Sequence, residues 1–134
     1  MLEITKELET GIPIIDAQHR ELVDHVNSLI TLGEKSNTKE EMEKTLDFLG
    51  SYAVNHFKTE EDFMEACVYP ACYLHKGQHK IFVDRFVMYK KTFEAEGYSV
   101  DLSKEIHKFI VNWLINHIKV NDKAFGEHYL KTVV

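Results

Sequence analysis

The sequence predicts an all-α fold: an up-down-up-down four-helix bundle entered through an N-terminal arm. Three observations carry that expectation. Four long stretches place apolar residues at alternating steps of three and four, the spacing of one helix face. Only 2 prolines and 6 glycines punctuate the 134 residues, too few for a sandwich or barrel of many short strands. The stretches are joined by short connections, which make consecutive helices antiparallel neighbours.

Composition narrows the function classes. Hydrophobic residues make up 44% and charged residues 28%, which suits one folded domain over residues 1–134 rather than a disordered chain. The net charge of -6 argues against a nucleic-acid or anionic-membrane surface. No apolar run reaches membrane-spanning length. Residues 1–7 lack the apolar stretch of a signal peptide, so a cytoplasmic location is expected. Cys67 and Cys72 are the only cysteines and form no Cys-x-x-Cys pair. They read as reduced thiols, not as a disulfide framework or a thiolate zinc site.

Residues 1–15 show no period and form the arm. The first helix is expected over about 16–33, with His19, Leu22, Val26 and Leu29 inward and Gly33 as its stop. The second, about 38–67, opens on Thr38 with Glu41 three residues later, a capping-box pattern. Its inner face reads Met42, Leu46, Leu49, Ala53, His56, Glu60 and Phe63. The third, about 70–96, has Pro70 in its first turn and Gly97 as its stop. It turns His75, His79, Phe82, Phe86, Tyr89 and Phe93 inward. The fourth, about 101–126, presents Leu102, Ile106, Phe109, Trp113, His117, Val120 and Ala124.

Six polar side chains thus fall on inner faces: His19, His56, Glu60, His75, His79 and His117. Burying them is unfavourable unless each finds a partner. Topology brings them together. The start of the first helix, the end of the second, the start of the third and the end of the fourth share one end of the bundle. His56 and Glu60 are four residues apart, as are His75 and His79, so each pair shares a helix face. Asp122 is a seventh member, although five residues after His117 is a poor fit to an ideal helix. It must reach across, or the fourth helix must be distorted there. His25, His107 and His128 lie off this layer.

A shared metal is the simplest common partner. Seven N/O donors are too many for one tetrahedral zinc and too rich in imidazole for calcium or magnesium. Two six-coordinate ions offer twelve positions. Five imidazoles, two bridging carboxylates and one bridging solvent oxygen occupy eleven, leaving one open. Imidazole with carboxylate suits iron best, while manganese and zinc accept the same donors. The chain has no Glu-x-x-His, the signature of ferritin-like di-iron sites. Its excess of neutral over anionic donors disfavours high-valent iron and favours reversible binding of a small molecule such as dioxygen.

The set Asp16-Ala17-Gln18-His19, His56-x-x-x-Glu60, His75-x-x-x-His79 and His117-x-x-x-x-Asp122 resembles hemerythrin in its bacterial single-domain form. Trp113-Leu114-Ile115-Asn116-His117-Ile118 strengthens the likeness, which spans about residues 11–129. The resemblance implies that His75, His79 and His117 hold one iron. It implies that His19 and His56 hold the other, with its vacant position, and that Glu60, Asp122 and an oxo or hydroxo group bridge the two. Dioxygen would bind the five-coordinate iron of the diferrous form. Leu22, Phe57, Trp113 and Ile118 flank ligands and resemble the family's dioxygen pocket, whose dry lining would slow autoxidation.

An oxygen carrier, store or local supplier is therefore expected, as a monomer and not an enzyme. An oxygen or redox sensor acting through a separate partner ranks second. An enzyme acting on peroxide or nitric oxide ranks third, because no acid or base beyond the ligands stands out. Iron storage ranks last, since the ligands sit among Phe and Trp rather than in an open site.

Overall fold

The computed structural model describes residues 2–34 and 39–132. After a short 3-10 turn at Lys6–Leu8 come α1 (Pro13–Glu34), α2 (Lys39–Ala66), α3 (Cys72–Glu96) and α4 (Val100–His117). A π-helical turn at Ile118–Asp122 joins α4 to α5 (Lys123–Thr132). α1 packs against α2 and α4, and α3 packs against the same two, which closes the antiparallel square. No helix among the described residues is long and apolar enough to cross a membrane.

The helix ends differ from expectation where side chains or backbone reversals intervene. α1 starts earlier than residue 16, on Pro13, whose fixed φ suits a first helical position. The Asp16 carboxylate then accepts hydrogen bonds from Thr10 N (2.8 Å), Thr10 Oγ1 (2.8 Å) and Gly11 N (3.1 Å), pulling the arm onto the helix start. Gly33 does not stop α1, which includes it and Glu34. The expected cap at Thr38 lies outside the described residues.

α2 closes at Ala66 through a left-handed residue, Val68, with φ of 52°. Tyr69 N donates to Met64 O (2.9 Å) and Val68 N to Glu65 O (3.2 Å), the paired bonds of a Schellman reversal. The reversal places Pro70 in the turn, not in the first turn of α3 as expected. Gly97, with φ of 78°, ends α3 by donating to Phe93 O (2.8 Å). Ser99 caps α4 by accepting from Leu102 N (3.0 Å).

The main core runs along the bundle through Val26, Leu29, Leu46, Leu49, Phe82, Phe86, Phe93 and Ile106. Four residues expected to point inward, Phe63, Tyr89, Phe109 and Trp113, are only half-buried. Their neighbours Met64, Ile110 and Leu114 are buried. The inner stripe is wide enough that a step of three or four selects either residue.

Val120 and Ala124, expected inside, are exposed. The π turn is the reason. It fits an extra residue into one turn and so shifts the period from there on, bringing Asp122 and Phe125 inward instead. Beyond it, α5 folds over the bundle end. Ile12, Ile15, Met64 and Phe125 form a small second core there. Gly126 lets α5 approach the arm closely: a Cβ at that position would sit 2.4 Å from Thr10 O.

Candidate metal centre

All seven candidate ligands arrive at one end of the bundle. α1 supplies His19, α2 supplies His56 and Glu60, and α3 supplies His75 and His79. The last residue of α4 is His117, and the last residue of the π turn is Asp122. Every one is buried, with His19 and Glu60 at 0% exposure. The layer lies between the main core and the small cluster under α5. The π turn resolves the awkward spacing of His117 and Asp122. A turn of more than four residues aligns positions five apart, so His117 Nε2 lies 3.0 Å from Asp122 Oδ1.

The donors sort into two groups. Glu60 Oε1 lies 2.9 Å from His75 Nε2 and 3.3 Å from His79 Nε2. Asp122 Oδ1 lies 2.9 Å from His75 Nε2. The other oxygens face the other way. Glu60 Oε2 is 2.7 Å from His56 Nε2 and 3.2 Å from His19 Nε2, and Asp122 Oδ2 is 3.0 Å from His19 Nε2. Each carboxylate therefore offers one oxygen to a three-imidazole group and one to a two-imidazole group.

Outer hydrogen bonds orient two of the rings. His56 Nδ1–H donates to Gln18 Oε1 (2.7 Å), and His79 Nδ1–H donates to Glu61 Oε2 (2.9 Å). Each leaves the Nε2 lone pair aimed into the site, as metal-bound imidazoles require. Sequence reasoning missed both partners. Gln18 was legible only as a neighbour of His19, and Glu61 only as a neighbour of Glu60. The signal that could have found them is a polar residue directly beside a ligand on a helix packed against another ligand's helix. His25 lies against the rings of Phe48 and Tyr52, His128 against Tyr69, and His107 is half-buried; none belongs to a donor group.

The donors fit a cation better than they fit one another. His79 and His117 face each other Nε2 to Nε2 at 3.1 Å. Neither Asp122 oxygen has a partner with hydrogen-bond geometry among the described residues, although imidazole nitrogens lie at 2.9–3.0 Å. Nitrogens and carboxylate oxygens converging at 2.7–3.3 Å match neighbouring corners of a coordination shell. An octahedron with bonds of about 2.1 Å has edges of about 3.0 Å.

Electrostatics agrees. Burial alone would raise Glu60, but the charge on His56 and hydrogen bonds from His19, His56 and His75 hold it well below the usual carboxylate range. Burial and Glu60 would raise Asp122, yet His117 and His19 hold it low. Burial opposes charge on His19, but Asp122 and Glu60 push it up to about 10, and the same carboxylates push His75 up to about 9. Burial lowers His117. The layer is an anionic well that holds protons when no other cation is present.

Around the well the packing is aromatic. Phe57 stacks on His79 at 4.0 Å between ring centroids, and Trp113 stacks on His117 at 4.4 Å. Leu22, Phe57 and Ile118 are buried in the same cluster, with Trp113 half-buried against it. Gly77, between His75 and His79, approaches nothing: a Cβ there would meet open space. It is a tolerated helix glycine and has no part in the site.

Residues 10–128 match the family model described as the hemerythrin HHE cation binding domain. The chain is 33% identical over 121 residues to a bacteriohemerythrin of Stenotrophomonas maltophilia, covering 90% of this chain and 76% of that one. It is 33% identical over 120 residues to a bacteriohemerythrin of Methylococcus capsulatus, covering 90% and 89%. A crystal structure of wild-type hemerythrin superposes with a TM-score of 0.87 at 32% identity, covering 96% of this chain and 97% of that one.

Proposed function

The chain belongs to the hemerythrin family, and from that premise we propose that it binds dioxygen reversibly at a non-haem di-iron centre, as carrier, store or local supplier. One observation carries the reading: Glu60 and Asp122 each turn one oxygen to each of the two imidazole groups. Carboxylates placed in that way are built to bridge two cations.

In this reading His75, His79 and His117 hold one iron, and His19 and His56 hold the other. The smaller group leaves a position for the ligand. A bound iron pair would supply the electrons that dioxygen needs. The chain's own residues do the rest. Gln18 and Glu61 lock the His56 and His79 rings with Nε2 inward. Glu60 and Asp122 stay ionised and balance much of the added positive charge. Leu22, Phe57, Trp113 and Ile118 line the approach and keep water and protons out, which slows loss of the oxygenated form. In this reading the protein acts as a carrier and not as an enzyme. Residues 1–134 act as one unit, a cytoplasmic monomer.

Metal analysis of the reconstituted protein tests the site. Wild-type chains are expected to hold two irons each, and Glu60→Ala at most one. Glu60→Ala chains that retain two irons would remove Glu60 from the bridging role.

A further inference from the structure

Two thiols stand outside the metal centre. Cys67 follows the last residue of α2, and Cys72 is the first residue of α3. Both are free and half-buried. Both pack on the small cluster of Ile12, Ile15, Met64 and Phe125. The reversal at Val68 and the 3.1 Å bond from Cys72 N to Tyr69 O fold the turn back on itself, which sets both side chains against that cluster.

We propose that Cys67 and Cys72 are a peroxide-sensitive thiol pair, oxidised by hydrogen peroxide to an intramolecular disulfide that ties the end of α2 to the start of α3. In the first step one sulfur takes an oxygen from hydrogen peroxide, the O–O bond breaks and one water leaves. In the second, the other sulfur attacks the resulting sulfenic acid, the S–O bond breaks, the S–S bond forms and a second water leaves. The two thiols together give up two electrons and two protons, and the peroxide receives both.

Burial pushes the Cys67 thiol up, and the neighbouring charge of Cys72 adds to the rise. The Cys67 S–H also donates to Met64 O at 3.7 Å, which holds its proton in place and makes Cys67 the resolving partner. The bridge would sit beside the candidate ligands, since His75 comes three residues after Cys72 on the same helix. It would tether the helix bearing Glu60 to the helix bearing His75 and His79. The inference uses no bound metal, so it stands or falls apart from the di-iron reading.

The test is non-reducing peptide mapping of the purified protein before and after exposure to hydrogen peroxide. The expected result is a peptide pair linked through residues 67 and 72, two hydrogens lighter than the free thiols and restored by dithiothreitol. The melting temperature should rise with the bridge in place. Cys67→Ser should stop at a sulfenic acid on Cys72, trapped by dimedone. Thiols that stay free, oxidise to sulfonic acid without a bridge, or link different chains would each overturn the proposal. The wild-type map decides even if a serine variant fails to fold.

Discussion

The two ends of the bundle bury side chains of opposite character. At one end Leu29, Leu46, Leu49, Phe93 and Ile106 pack without a polar atom among their side chains. At the other, five imidazoles and two carboxylates occupy the equivalent layer, equally buried. The apolar end gains stability by removing hydrocarbon from water, whatever the solution pH. The polar end gains only when its charges are matched, by protons or by metal. The comparison teaches that one part of the molecule holds the fold and the other depends on it. The two should therefore respond to different perturbations.

The largest effect on the fold should come from the apolar end. Phe93 is 2% exposed and fills the core where α3 closes. Phe93→Ala is expected to cost about 4 kcal/mol in a denaturant titration of the metal-free protein. Iron per folded chain should not change. Loss of iron from chains that remain folded would show the two ends to be coupled, against that division.

The next effect belongs to pH. In the metal-free protein His19 and His75 are raised from an ordinary value near 6.5 to about 10 and about 9. Groups raised on folding stabilise fully below the unfolded value and lose that contribution as pH climbs through the folded one. Glu60 and Asp122, lowered on folding, contribute above the ordinary carboxylate range and lose it in acid. Metal-free stability should therefore be greatest between the carboxylate range and about pH 6.5, and should fall toward pH 10. Metal needs neutral imidazole, so uptake near neutral pH should release about two protons per chain, from His19 and His75. Calorimetry in buffers of different ionisation enthalpy reads that number. Uptake without proton release would mean that the empty well is not protonated.

The smallest expected effect probes the boundary between the two ends. Leu22 lies one turn after His19 on α1 and is 2% exposed. Leu22→Ala should keep both irons and speed autoxidation of the oxygenated form about tenfold. An unchanged lifetime, followed by the decay of its visible absorption, would take Leu22 out of the pocket.

Much of this was legible in the sequence. Pairs such as His56 with Glu60 and His75 with His79 announce themselves, because a four-residue step keeps both on one face whatever surrounds them. Bundle topology then brings the four helix ends together. The π turn was legible only as an anomaly. His117 and Asp122 could not share a face of an ideal helix, and the sequence offers no local signature of the distortion that lets them. Missing that turn put Val120 and Ala124 on the inside, since the period was continued past the point where it breaks. The roles of Asp16, Gln18 and Glu61 were hidden for a different reason. Their partners, Thr10, His56 and His79, are on other segments, and a hydrogen bond between segments leaves no period in either.

The most direct test is the visible spectrum of the iron-loaded protein, reduced without air, exposed to air and then deoxygenated. A charge-transfer band that appears with air, fades on deoxygenation and returns through repeated cycles, with two irons per chain throughout, is the predicted result. Immediate and irreversible oxidation on first contact with air would contradict it.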